Sequence, residues 1–210
     1  MQVAGAKPPG NRRDQRRIRA LLKAFHDCVI EKGYAHTTLA EVARAAGMSP
    51  SHLMYYFRGK DAILDEYFRD IAERIVARIE RARGEPPRRQ LEKLAELFFA
   101  GRTLTRSEIG LMHECFGIAV HDERLRATKS EFDRYCKAYL VELFEQLPLR
   151  GFTSAKDAAE VVFAQLFGLR TAVYFDDDLD LPRALAIYKA SIRQLTGDEA
   201  ETGNVSQKEG

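Results

Sequence analysis

Hydroxyl, imidazole and phenol side chains are crowded into one short segment of this sequence, residues 49–60. Ser49 can cap a helix there, Pro50 suits the first helical position, and Leu53 and Phe57 are the inward anchors of about two turns. The remaining polar side chains can hydrogen-bond to base edges and phosphates, and so short a helix fits the major groove of DNA. The segment therefore predicts recognition of a nucleic acid.

A second short helix directly precedes this segment and must position it. Either Thr37 or Thr38 can serve as its N-cap, and Glu41 follows Thr38 at the spacing of a capping box. Gly47 comes where a left-handed residue ends a helix without steric cost. The buried stripe has the helical spacing i, i+3, i+4 and i+7: Leu39, Val42, Ala43 and Ala46. Together these elements predict a helix-turn-helix motif over about residues 38–57; an ordinary helical hairpin is the alternative.

Charge is distributed unevenly along the 210 residues. The formal net charge is only +2, but residues 1–60 contain 11 Lys+Arg against 4 Asp+Glu, and the remainder contains 22 against 27. A basic end joined to an acidic body is expected when one part of a protein binds polyphosphate and the other does not. A solvated basic block is the alternative, and the adjacent helix-turn-helix pattern favours DNA.

Composition predicts a globular protein of one or two domains, with 45% hydrophobic and 30% charged residues. No apolar run approaches a membrane span, and residues 1–11 lack the pattern of a signal peptide. The three cysteines are widely spaced, which argues against a disulfide framework: Cys28, Cys115 and Cys136. We therefore expect a cytoplasmic protein without a membrane partner.

The rest of the chain is predicted to be helical. No segment alternates with the period of a strand, so the expected fold is all-α, with about nine helices. Residues 1–11 and 198–210 are expected to be flexible tails. Besides the two short helices, the predicted helices cover residues 12–32, 60–84, 88–103, 107–120, 123–147, 154–175 and 182–195.

Residues 14–75 resemble the tetracycline-repressor (TetR) family of bacterial transcriptional regulators. The family pattern T-x-x-x-I-A-x-x-A-G-V-S-x-x-x-L-Y-x-Y-F-x-x-K-x-x-L appears here as Thr38, Val42, Ala43, Ala46, Gly47, Met48, Ser49, Leu53, Tyr56, Phe57, Lys60 and Ile63. Residues 113–126 and 165–169 resemble two segments of the family's C-terminal part. Met54 departs from a tyrosine that touches a phosphate in the family. Pro50, Ser51 and His52 replace the commoner Lys-Gly-Thr.

The resemblance implies a three-helix DNA-binding domain at residues 12–74 and a ligand-binding and dimerisation domain at residues 75–197. It implies a homodimer on double-stranded DNA with an inverted-repeat operator. The last two helices of each subunit would form the dimer interface, and a small organic effector would release the protein from DNA. No cofactor or metal is expected.

Side-chain chemistry distributes roles over the DNA-binding residues. Ser51 and His52 suit base edges, and Pro50 can contact a thymine methyl group. His52 could instead bind a phosphate, and Tyr56 could be half-buried structure. The remaining candidates suit phosphates or a minor groove. The full set of DNA-binding candidates is Thr38, Ser49, Pro50, Ser51, His52, Tyr55, Tyr56, Lys60, Arg13 and Arg17.

Aromatic residues at helical spacing dominate the C-terminal half, which predicts a mostly apolar pocket for a lipophilic or amphipathic effector. Candidate pocket residues are Phe98, His113, Glu114, Phe116, Arg134, Tyr135 and Gln165. Candidate interface residues, from the apolar stripes of the last two helices, are Phe163, Leu166, Phe167, Leu185, Tyr188 and Ile192.

Other functional classes are weaker. None of the G-x-S-x-G, P-loop, G-x-G-x-x-G or H-E-x-x-H motifs occurs, so we expect no enzyme. A metal- or thiol-sensing regulator of the same fold would use His113, Cys115, His121 and Cys136, whose spacing is unlike that of ligand pairs. A helical small-molecule-binding protein without a DNA function is the remaining alternative.

Overall fold

The structure is a computed structural model that describes residues 12–100, 105–152 and 154–197, and these residues form helices without any strand. The expected all-α fold is confirmed. The predicted tails 1–11 and 198–210, and the end of the predicted helix 88–103, lie outside the described residues. The helices found there are α1 (Arg12–His36), α2 (Leu39–Ala45), α3 (Pro50–Tyr56), α4 (Lys60–Ala82), α5 (Pro87–Phe99), α6 (Arg106–Ala119), α7 (Glu123–Phe144), α8 (Ala155–Phe175) and α9 (Leu181–Thr196).

The described residues divide into two compact units. The first contains α1 to α3 and α4 as far as Ile75, together with Ser107–Glu131. The second contains Val76–Arg106 and the chain from Phe132 onward. Residues 107–131, which the sequence analysis assigned to the C-terminal domain, therefore group with the helix-turn-helix part of the chain.

A break in α1 at Gly33 forms the corner that leads into the helix-turn-helix motif. Gly33 has φ 81° and ψ 159°, outside the helical region. The buried Thr37 hydroxyl donates to the Gly33 carbonyl at 2.9 Å. Thr38 is the N-cap of α2, where its N–H donates to the Glu41 carboxylate at 2.9 Å and its hydroxyl accepts from the Glu41 N–H at 3.3 Å. The capping box therefore forms at Thr38.

The turn and start of α3 follow the predicted local chemistry. Gly47 has φ 68°, which a residue with a Cβ rarely adopts. The Ser49 hydroxyl accepts the His52 N–H at 3.2 Å, and Pro50 occupies the first turn of α3. Leu53 is fully buried, so α3 is anchored from its centre.

In the second unit, α9 packs against both α8 and α5. Its largest buried side chains are aromatic: Phe98, Phe99, Tyr139, Phe144 and Tyr188. The Arg88 guanidinium donates to the carbonyls of Thr196 at 3.0 Å and Gly197 at 2.7 Å, which caps the end of α9. Within the described helices, α8 alone has the length and composition of a membrane span, but 39% of its apolar window is buried inside the protein.

Candidate nucleic-acid interface

Four exposed side chains lie on α3 or just after its end. Ser51, Met54 and Tyr55 stand at i, i+3 and i+4 of one helical face, and the exposed Arg58 follows the extended residue that ends the helix. The exposed fraction is 47% for Met54 and 57% for Tyr55. Large side chains left in solvent beside a basic segment offer a surface that can contact DNA. We call these four residues the recognition face.

Two of them, Met54 and Arg58, were not predicted as DNA-binding residues. From the sequence, Met54 was noted only because it replaces a tyrosine of the family pattern. Spacing could have found Met54, because it continues the helical face that Ser51 begins, whereas Arg58 lies beyond the extended residue that ends α3. An exposed methionine supplies apolar contact and an arginine supplies charge.

His52 and Pro50 lie beside this face rather than at its centre. The His52 ring is partly buried and lies 5.4 Å from the Tyr56 ring, measured between centroids. Pro50 is exposed at the N-terminus of α3, next to the exposed cap Ser49. Both remain able to meet a base edge near the start of the helix.

Tyr56 is buried, with only 7% of its surface exposed. Its hydroxyl donates to Asp14 Oδ1 at 3.0 Å and accepts from Arg17 Nη1 at 3.3 Å. This supports the structural alternative for Tyr56, whereas its neighbour Tyr55 is exposed, and the phosphate contacts of both stay predictions. Tyr56 thus joins α3 to α1, and Arg13 lies exposed on the same part of α1.

Lys60 has a structural role that the sequence did not indicate. Its ammonium donates to the carbonyls of Tyr34 at 2.6 Å and Ala35 at 3.4 Å, and lies 4.2 Å from the centroid of the Tyr34 ring. These hydrogen bonds give two carbonyl groups near the end of α1 a partner. A replacement of Lys60 therefore disturbs the corner as well as any phosphate contact.

The side chain of Thr38 is occupied by the capping box. Its hydroxyl donates to the Glu41 carboxylate at 2.7 Å, and Lys32 also contacts that carboxylate. Hydrogen bonds from Lys32 and then from Thr38 lower the pKa of Glu41 to about 2. The Thr38 hydroxyl is therefore engaged within the protein, and its phosphate contact stays a prediction.

Two family models cover most of the described chain. Residues 21–67 match the model of bacterial regulatory proteins of the tetR family. Residues 87–197 match the model of the BetI-type transcriptional repressor, C-terminal. The chain belongs to the TetR family of transcriptional regulators.

Individual relatives and solved structures agree with this assignment. HTH-type transcriptional regulator BetI 1 of Chromohalobacter salexigens is 26% identical over 158 residues, which cover 73% of this chain and 76% of that protein. A TetR transcription regulator from Haloarcula marismortui superposes with a TM-score of 0.75 at 18% identity and covers 87% of this chain and 97% of its own. A transcriptional regulator from Saccharomonospora viridis, solved in complex with choline, has a TM-score of 0.73 at 18% identity and covers 85% and 96%.

This TetR-family chain is a DNA-binding transcriptional regulator, as predicted, and the comparisons add that it is similar to the BetI repressors. Its family consists of regulators, which are not generally enzymes. A helical binding protein without a DNA function is not favoured. A metal- or thiol-sensing regulator is not favoured either by these matches, and the described ranges contain no cluster of three or more His, Cys, Asp or Glu suited to a metal. Burial raises the pKa of the Cys115 thiol to about 12, so it supplies no thiolate at neutral pH.

The seven predicted pocket residues of this TetR-family protein are distributed over the two units. His113, Glu114 and Phe116 belong to the first unit, and the other four belong to the second. Glu114 accepts a hydrogen bond from the Tyr34 N–H at 2.6 Å. In the second unit, Phe98 is buried in the core and Arg134 is exposed. The Tyr135 hydroxyl donates a hydrogen bond to Glu80, and Gln165 accepts one from the Ser191 hydroxyl at 2.8 Å.

The second unit instead contains a cleft of about 510 Å³. Ile79, Leu94, Leu97 and Tyr139, all buried, contribute its apolar lining. The Tyr139 hydroxyl donates to Gln90 Oε1 at 2.7 Å. The other residues that line the cleft are Arg78, Ala82, Lys93, Glu96 and Ala100.

The predicted interface residues of α8 and α9 face mostly inward. Phe163, Leu166, Tyr188 and Ile192 are at most 7% exposed within the single chain, and Phe167 and Leu185 are partly buried. These helices expose other apolar residues, which we call the α8–α9 stripe: Val161, Ala164, Gly168 and Phe175 on α8, and Ala186, Ile187 and Ala190 on α9.

Removal of the hydroxyl group should change the free energy of unfolding at only one of the two adjacent tyrosines of α3. Tyr56→Phe leaves Asp14 and Arg17 without their shared partner and should lower the free energy of unfolding by about 1 kcal/mol. The Tyr55 ring is largely exposed, so Tyr55→Phe should leave the free energy of unfolding within about 0.5 kcal/mol of the wild-type value. Urea unfolding monitored by circular dichroism measures both. An equal effect of the two substitutions would contradict the placement of Tyr56.

Proposed function

We propose that this regulator represses transcription as a homodimer on an inverted-repeat operator, and that a small organic effector releases it. The observation that carries the proposal is the recognition face. Three of its four side chains project from a helix that is anchored by Leu53 and capped by Ser49, and Arg58 follows the end of that helix. A rigid short helix with a polar and apolar exposed face can enter a major groove and discriminate bases.

Two groups of residues would divide the work on DNA. Ser51, His52 and Met54 would meet base edges and thymine methyl groups, with Pro50 at the helix start. Tyr55 and the basic side chains would contact phosphates: Arg13, Arg17, Arg58 and Lys60. The excess of positive charge in residues 1–60 supports this division, because phosphate contacts supply most non-specific affinity. A DNA target is consistent with a cytoplasmic protein.

A dimer would be formed through the α8–α9 stripe rather than through the residues first predicted. Seven exposed apolar positions on two adjacent helices make an apolar face that monomers seldom leave in solvent. Small residues such as Gly168 and Ala190 permit close helix approach. A two-fold axis between the subunits would place two copies of α3 in successive major grooves, about 34–36 Å apart.

The effector would occupy the cleft of the second unit. Its lining is apolar around the Tyr139–Gln90 pair, and two of its charged residues are already paired, Lys93 with Glu85 and Glu96 with Lys189. A neutral or amphipathic organic molecule suits such a lining better than a permanent ion.

Choline is the ligand of the Saccharomonospora viridis structure and is the natural comparison. A quaternary ammonium binds best to the open faces of aromatic rings. Tyr139 is the aromatic residue of the cleft, and the Arg83 guanidinium lies 5.2 Å from its centroid. A cation already occupies the neighbourhood of that ring, so we favour an uncharged effector group.

Operator binding tests the recognition face. An operator is first selected from random DNA with the wild-type protein. Ser51→Ala and His52→Ala should relax the base preference at one position in each half-site, because they remove direct readout. Arg13→Ala should weaken operator and random DNA alike and reduce the salt slope by about one charge. An equal loss on operator and random DNA for both α3 variants would contradict their assignment to bases, and failure to select any operator would contradict the proposed function.

The oligomeric state tests the α8–α9 stripe. Ile187→Glu would bury an unpaired charge in the interface, at a cost of several kcal/mol, and should convert a micromolar dimer into a monomer. The matched control is Ile30→Glu, which changes an exposed isoleucine of α1 and should leave the dimer intact. Sedimentation velocity separates the two states. A wild-type monomer, or a dimer that survives Ile187→Glu, would contradict this interface.

Ligand binding tests the cleft. In a thermal-shift screen, lipophilic or amphipathic compounds should stabilise the wild type, whereas millimolar choline should not. Leu94→Glu places a charge in the apolar lining and should abolish the shift of each hit. By reciprocity, operator DNA must weaken the binding of a releasing ligand by the factor by which that ligand weakens DNA binding. Stabilisation by choline that Leu94→Glu removes would contradict the preference for an uncharged group.

A further inference from the structure

The peptide at Tyr34 is held by side chains from distant parts of the first unit. It directly follows the break at Gly33, and its N–H donates to Glu114 Oε2 on α6 at 2.6 Å. The two residues are 80 positions apart in the chain. The other carboxylate oxygen, Oε1, would lie 3.7 Å from a Cβ built on Gly33, so the carboxylate faces the break directly.

The remaining polar groups of Tyr34 are held from α4 and from the corner itself. Its carbonyl accepts from Lys60 Nζ at 2.6 Å and from the Thr37 N–H at 3.2 Å. Its hydroxyl donates to Asp61. Tyr34 is therefore hydrogen-bonded to α6 through its N–H and to α4 through its carbonyl and hydroxyl.

The position of this peptide determines where α2 begins. Thr37 bonds back to the carbonyls of Gly33 and Tyr34, and the next residue, Thr38, caps α2. Helix α3 follows α2 after a turn of a few residues and packs against it. A displacement of the Tyr34 peptide would therefore reach the recognition face through Thr37, Thr38 and the short helix α2.

We propose that Glu114 is a positioning residue for DNA recognition: its carboxylate holds the Gly33–Tyr34 corner and thereby makes the placement of α3 depend on α6. A carboxylate that accepts from a backbone N–H forms a charge-assisted hydrogen bond. Glu114 is solvent-exposed, so this bond can be broken without unfolding a core. This inference rests on the proposed DNA-binding function and assigns to Glu114 a role other than the effector contact first predicted.

The sign of the effect on DNA affinity separates positioning from simple electrostatics. Glu114→Ala removes a negative charge, which by electrostatics alone would strengthen binding to DNA. The matched control Glu131→Ala removes the same charge from an exposed position of α7 in the same unit. The conservative variant Glu114→Gln removes the charge but keeps a carbonyl oxygen that can accept from the Tyr34 N–H.

We expect Glu114→Ala to weaken operator binding about tenfold and leave random-DNA binding unchanged or slightly tighter. Glu114→Gln should recover most of the operator affinity, and Glu131→Ala should lose none. Hydrogen exchange of the Tyr34 amide, measured by NMR without DNA, should accelerate in Glu114→Ala alone. Operator affinity in Glu114→Ala equal to that in Glu131→Ala, or parallel losses on operator and random DNA, would overturn the proposal.

A measurement on the wild type keeps the proposal falsifiable if Glu114→Ala does not fold. Because the held corner favours DNA binding, bound operator must in turn favour the held corner, and exchange of the Tyr34 amide should slow in the complex. Unchanged Tyr34 exchange on operator binding would overturn it. If the wild type binds no operator, the proposed function fails, and the exchange rates without DNA still decide whether Glu114 holds the corner.

Discussion

The hydrogen bonding of one short corner, residues 33–38, governs the DNA-binding unit. A helix that breaks at Gly33 leaves backbone groups that need hydrogen-bond partners outside the helix. Those partners come from three helices, as Glu41 of α2, Lys60 of α4 and Glu114 of α6 each bond to the corner. The start of α2 is thus positioned by side chains from separate parts of the sequence. Because α3 packs against α2, its position depends on the same side chains.

This demand for internal partners decides which residues are left for DNA. Thr38 and Tyr56 match the family pattern, yet their hydroxyls are used within the protein, and Lys60 binds two carbonyls. Under the proposed function, recognition would then depend on the exposed side chains of α3, chiefly Tyr55 and Met54. A match to a family motif therefore identifies the motif as a whole, and the hydrogen-bond partners show which members support the fold.

Local features were predictable and distant ones were not. Capping boxes, glycine turns and prolines act over three or four residues, so the starts of α2 and α3 could be located at Thr38 and Ser49. The partner of Tyr56 is Asp14, 42 residues away, and no spacing reveals it. On α8 both faces are apolar, so periodicity could not say that Phe163 lies inside and Val161 outside. Large side chains fill interior volume, whereas the face left outside is mostly of small ones.

Met54 has a consequence for how a regulator of this kind would choose its sites. An unbranched thioether with three rotatable bonds adapts to many surfaces and donates no directional hydrogen bond. A recognition helix that adds such a side chain to direct readout by Ser51 and His52 would grade related sequences by small increments instead of accepting one and rejecting the rest. Under the proposed function, promoters with imperfect half-sites would form a ranked series, so that a falling concentration of active protein frees them one after another.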